Sequence, residues 1–122
     1  IICYICDMKT DKELAKELRN AVNNLSGMNW FVDKGIVCFD VENKYVEVNY
    51  LLWHTFSTKG LAKFCHSLYF NMRIKQAASG AVDIDAEPLL ICVNYGTEPN
   101  EYGKKGIVRM CRYNSTTGFS EV

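Results

Sequence analysis

Two short segments limit what this chain can fold into. Ile1-Ile2-Cys3-Tyr4-Ile5-Cys6 and Leu89-Leu90-Ile91-Cys92-Val93 are apolar at odd and even positions alike. A strand sends alternate side chains to opposite faces, so a run with no polar parity belongs in the middle of a covered sheet. The helices to cover it are legible too. Thr10-Asp11-Lys12-Glu13 has the form of a capping box, with Thr at the cap and Glu three residues on. Leu14, Ala15, Leu18, Ala21, Val22 and Leu25 follow as an apolar stripe of helical period, and Gly27 is placed to end it. Ser57-Thr58 opens a second helix running to about Ala78, with Leu61, Phe64, Cys65, Leu68 and Met72 as its core stripe and Gly80 as its stop.

Between the helices, Trp30 to Trp53 reads as a meander. Trp30-Phe31-Val32 forms one strand and Ile36 to Val41 the next, with a turn at Asp33-Lys34-Gly35. After a turn at Glu42-Asn43-Lys44, the stretch from Lys44 to Trp53 is the longest strand, with Val46, Val48 and Tyr50 opposed by Glu47 and Asn49. Ala81 to Glu87 is a connector, Ile107 to Tyr113 a final strand, and the chain from Asn114 reads as turn. The order β-α-β-β-β-α-β-β predicts one α+β domain over residues 1–122. Its expected form is a single, mainly antiparallel sheet of five or six strands with two helices on one face, ferredoxin-like or related. In that topology the Ile1 and Leu89 strands lie side by side.

Composition fits one domain and narrows its partners. The 122 residues are 48% hydrophobic, and 14 Lys and Arg balance 14 Asp and Glu. Zero net charge argues against a histone-like polyanion binder and a disordered acidic tail. No apolar run approaches the length of about 20 residues that a membrane span needs, so no membrane partner is expected. The six cysteines, at 3, 6, 38, 65, 92 and 111, fall in strand-like runs or on the apolar helix stripe. A disulfide framework compensates for a poor core, and this core is rich, so reduced thiols and a cytoplasmic setting are expected.

Several constellations carry the residue types of a reactive site without its arrangement. Cys3 and Cys6 have zinc-knuckle spacing, but inside a strand they face opposite ways. Asp83, Asp85 and Glu87 could aim three carboxylates at a cation, yet no partner carboxylate or glycine-centred loop accompanies them. Cys65 and His66 are neighbours on a helix and so do not face each other. Gly96 to Gly106 is glycine-rich and holds Lys104-Lys105, but lacks the Ser or Thr and the following helix of a phosphate-binding loop. Core packing or solvation accounts for each. No catalytic residue, metal or cofactor is expected from them.

Charge segregation is the informative signal. Residues 57–122 hold eight basic and six acidic side chains, against six and eight before them, and Ser57 to Gly80 contains no acid at all. Lys59, Lys63, His66, Phe70 and Arg73 are spaced 4-3-4-3, which aligns them on one face of a helix. Lys104, Lys105, Arg109 and Arg112 form a second acid-free cluster. Three functional readings follow. The first is a small non-enzymatic binding or regulatory protein, of inhibitor or adaptor type, working through protein contact. The alternatives are a binder of an anionic ligand, nucleotide or nucleic acid, through the basic helix face, and a metal-dependent hydrolase built on Asp83, Asp85 and Glu87. Self-association is expected as well, because two helices cover one sheet face and would leave Leu90 and Cys92 open, flanked by Leu51, Trp53 and Tyr113. If all six cysteines are thiols, alkylating the unfolded, unreduced chain will label six residues by mass spectrometry; a native disulfide will show as two fewer.

Overall fold

The computed structural model describes residues 10–80, 89–96, 99, 103–114 and 116–121. Helix α1 (Asp11–Asn23) starts as its capping box requires. The Thr10 hydroxyl accepts from the Glu13 N–H, and the Glu13 carboxylate accepts from the Thr10 N–H. Leu18 and Ala21 are buried on its inner side. The helix stops at Leu25, whose φ is +55°, while the Ser26 N–H returns to the Ala21 carbonyl at 2.9 Å. Glycine usually fills this left-handed position. Leu25 fills it here and is 89% exposed, so the last residue of the expected apolar stripe faces water.

Helix α2 (Met28–Asp33) stands where Trp30-Phe31-Val32 was expected as a strand. Three apolar residues in a row carry no period of their own. As a helix the segment buries Phe31, which meets Trp30 edge-on at 5.2 Å and Phe64 at 6.1 Å between ring centroids. Strands β1 (Val37–Asp40) and β2 (Tyr45–Asn49) then form a hairpin. Asp40 holds its turn, its carboxylate accepting from the Asn43 backbone and side-chain N–H groups at 2.9 and 3.0 Å. Those bonds hold the Asp40 carboxyl below its ordinary value.

The strand expected to run on to Trp53 ends at Asn49. Its side-chain oxygen accepts from the Leu51 N–H at 2.8 Å and caps α3 (Tyr50–Thr55). Tyr50, Leu51, Leu52 and Trp53 are all buried, so this turn of helix is apolar all round and leaves no periodic signature. Helix α4 (Thr58–Ser79) runs from the Ser57 cap to Gly80 at φ +80°, as its signals predict. Strands β3 (Leu89–Asn94), β4 (Ile107–Asn114) and β5 (Gly118–Glu121) complete the sheet; β5 lies in the tail that read as turn.

The expected topology is therefore corrected. Strand order is β1-β2-β3-β4-β5, and β2 runs parallel to β3, with Val46 opposite Ile91 and Val48 opposite Val93. The sheet is mixed, its β2–β3 pairing parallel and its other three antiparallel, and four helices rather than two stand among the described residues. A ferredoxin-like order would place the Ile1 strand against Leu89; β2 takes that place, and Ile1 to Cys6 lie outside the described residues. The connection from β2 to β3 is made through α3 and α4.

One sheet face packs on the helices. Val46, Val48, Ile91, Val93 and Cys111 are fully buried there with Leu18, Leu52 and Leu68. On the other face the register aligns Cys38, Glu47, Cys92 and Met110, with Asp40, Tyr45, Leu90, Arg112 and Ser120 in the next row. The apolar patch expected around Leu90 and Cys92 is thus not assembled as anticipated. Leu51 and Trp53 belong to α3, Tyr113 packs on the helix side, and charged residues share the rows. Beyond β3, the Tyr95 N–H donates to the Gly106 carbonyl at 2.7 Å and the Gly106 N–H to the Gly96 carbonyl at 2.6 Å. Both glycines sit at positive φ, +87° and +70°, where a side chain would be strained.

Leu25 offers a direct check on the helix stop. Its left-handed backbone costs a side-chain-bearing residue about 1–2 kcal/mol, part of which glycine returns as unfolded-state entropy. Leu25→Gly should raise stability by about 0.5–1 kcal/mol, read as a higher urea midpoint at unchanged slope.

Candidate binding surface on helix α4

Helix α4 presents two opposed faces. Phe64, Cys65, Leu68 and Met72 are buried, and α4 packs over β4 and β5 and against α2. Counted at 100° per residue, Lys59, Lys63, His66, Phe70 and Arg73 fall within about a third of a turn directly opposite. The structure brings these five together as the spacing predicts. It adds Ile74, four residues beyond Phe70. Phe70 is 59% and Ile74 54% exposed, two large apolar side chains side by side in water. Lys59, Lys63 and His66 are exposed, and no carboxylate among the described residues is within ion-pair distance of either lysine.

The flank toward β4 is fixed by aromatic contacts. His66 Nδ1 and the Tyr113 hydroxyl are hydrogen-bonded at 2.8 Å. The Tyr113 ring lies 5.5 Å from that of Tyr69, and the Arg73 guanidinium lies 4.7 Å over the Tyr69 ring while donating to its hydroxyl. Arg73 is thereby laid along the edge of the stripe, half-buried. Lys75, off the stripe, sits 5.3 Å over the Phe39 ring. Such cation–ring contacts are worth about 0.5–1 kcal/mol at exposed sites and hold long side chains in one orientation.

Of the second basic cluster, Arg112 faces away from α4. Lys104 and Lys105 are exposed ahead of β4. Arg112 is exposed between Cys111 and Tyr113, both buried against the helices, and so lies on the opposite face of the sheet. Arg109 occupies β4 opposite Val93, with its side chain outside the described residues. Cys3, Cys6, Asp83, Asp85 and Glu87 also lie outside them. Among the described residues no three His, Cys, Asp or Glu side chains gather as a metal site, and no helix is long and apolar enough to cross a membrane.

Sequence reasoning missed how both histidines are held. His54 Nε2 and the Tyr95 hydroxyl are hydrogen-bonded at 3.2 Å, and Tyr95 stacks on Tyr50 with centroids 5.1 Å apart. The Tyr50 hydroxyl in turn donates to the Asp11 carboxylate. Both rings are buried, so each hydroxyl needs such a partner. These pairings join residues 39 to 47 positions apart, and no local pattern announces them. No protein-family model, curated protein or solved structure matches the chain.

Cys65 and His66 do not form a nucleophile–base pair, since one points into the core and the other out of it. Burial first, and neighbouring Cys111 second, push the Cys65 thiol up to about 12. The fold therefore keeps a proton that the unfolded chain releases near 9. Stability present below that pH is lost as pH rises toward the folded value. Burial raises Cys92 and Tyr113 in the same direction. The urea midpoint should be flat from neutral pH to about pH 9 and fall above it, and Cys65→Ala should make that fall shallower.

Proposed function

We propose that this chain is a binding module working through protein contact, with the outer face of α4 as its contact surface. One observation carries the reading: Phe70 and Ile74 stand exposed next to each other, on the same stripe as two lysines that meet no carboxylate among the described residues. Adjacent exposed apolar side chains rimmed by charge are the composition of a protein interface, with an aromatic anchor at the centre and a polar rim. The α4 backbone supports such a role because its inner face is anchored through its middle turns by Phe64, Cys65, Leu68 and Met72. A rigid element presents side chains without the ordering cost that a mobile segment incurs on binding.

The anionic-ligand alternative draws on the same face, but less of that face suits it. Arg73 is engaged on Tyr69 and Lys75 on Phe39. Arg112 lies on the far side of the sheet, so cations available to one polyanion are few. A photo-crosslinking amino acid in place of Phe70, in cells that make the protein, should give discrete protein adducts. The same group in place of Arg19, exposed on α1, should not. An identical adduct pattern from both positions, or none from position 70, would refute the reading.

A further inference from the structure

The stripe on α4 is not uniform along its length, and the asymmetry bears on what binds it. Lys59 and Lys63 occupy the first two turns, whereas Phe70 and Ile74 occupy the later ones. Arg73, the cation in that second half, is turned onto the Tyr69 ring at the stripe's edge. At 1.5 Å per residue the stripe is about 22 Å long, charged at one end and apolar at the other. The charged end also coincides with the positive end of the helix dipole, and the first turn of α4 contains no acidic residue to meet it.

Resting on the reading of α4 as a protein-contact surface, we infer that its partner is a polarised acidic peptide segment. Two or more carboxylates would lie over Lys59 and Lys63, and an aromatic or aliphatic side chain would pack on Phe70 and Ile74. Charge complementarity selects carboxylates for the first end, because Ser57 to Gly80 has cations and no acid of its own. Desolvation selects an apolar group for the second, because covering two half-exposed hydrophobic side chains removes their contact with water. A nucleic-acid strand matches less well. Its charge repeats evenly along its length, so its phosphates would be drawn across Phe70 and Ile74, where the stripe's cation, Arg73, is turned onto the Tyr69 ring. Phe70 offers a base one stacking plane, and Ile74 offers none. An extended segment spanning the stripe would be about seven residues, at roughly 3.3 Å each.

A random peptide library displayed on phage and selected against the full chain tests the inference directly. The expected winners carry at least two Asp or Glu separated by a few residues from a Phe, Leu, Ile, Trp or Tyr. A synthetic winner should bind more weakly as salt is raised, and lose at least tenfold in affinity to Lys59→Glu/Lys63→Glu and to Phe70→Ser/Ile74→Ser. Replacing its acids with lysines should restore binding to the Lys59→Glu/Lys63→Glu chain. Each altered residue is exposed, and Lys63→Glu alone serves as the milder variant if a double variant melts early. Neutral or basic winners that still depend on Phe70 and Ile74 would overturn the acidic partner and leave the α4 surface standing. Winners indifferent to every α4 substitution, or no winners, would overturn both. A single-stranded oligonucleotide displacing the peptide at lower concentration than the peptide itself requires would overturn the acidic partner in favour of a phosphate ligand.

Discussion

Parallel pairing of β2 with β3 is the constraint on which the rest depends. Two parallel neighbours cannot be joined by a tight turn; the chain must leave one end of the sheet and return to the other. All of the chain from Tyr50 to Pro88 serves that return, and α3 and α4 are its helical part among the described residues. The pairing puts Val46 and Val48 beside Ile91 and Val93, a fully buried apolar ladder in the middle of the sheet. Leu52 from α3 and Leu68 from α4 join the same core. The outer face of α4 exists because its inner face is needed there, and the stripe of cations and apolar residues is what remains on the side that the core does not use.

Parts of this are legible in the residues and parts are not, for physical reasons. The capping box at Thr10 and Glu13, the Ser57 cap and the Gly80 stop are local chemistry, and each acts where it stands. The stripe on α4 is legible for the same reason, since a 4-3-4-3 spacing survives any tertiary arrangement. Ile74 continues that period, but an aliphatic residue on a helix looks like core until its exposure is known. Trp30 to Val32 and Tyr50 to Trp53 go the other way. Both are short and apolar on every side, so burial and not periodicity decides between strand and helix. The parallel pairing is hidden because register between distant strands is written in no local pattern.

Both histidines meet tyrosines in a similar manner. His54 follows β2 and meets Tyr95 just past β3; His66 lies on α4 and meets Tyr113 on β4. In each pair the tyrosine ring is buried and its hydroxyl reaches the outer rim of the core. Each crossover helix is thereby joined to the sheet or to the chain leaving it by a polar contact that a hydrophobic interface alone would not specify. On α4 this contact is made by His66 of the stripe, so one side chain of the outer face takes part in docking the helix.

The short base of the segment after β3 has a consequence for how this chain can change. Tyr95 and Gly96 are joined to Gly106 by two main-chain bonds, which close the neck whatever side chains lie further out. Lengthening a closed loop costs only about 0.6 kcal/mol for each doubling. Insertions beyond that neck would leave the β3–β4 register intact. The neck is accordingly where a second folded unit can be grafted into this chain without opening the β3–β4 pairing.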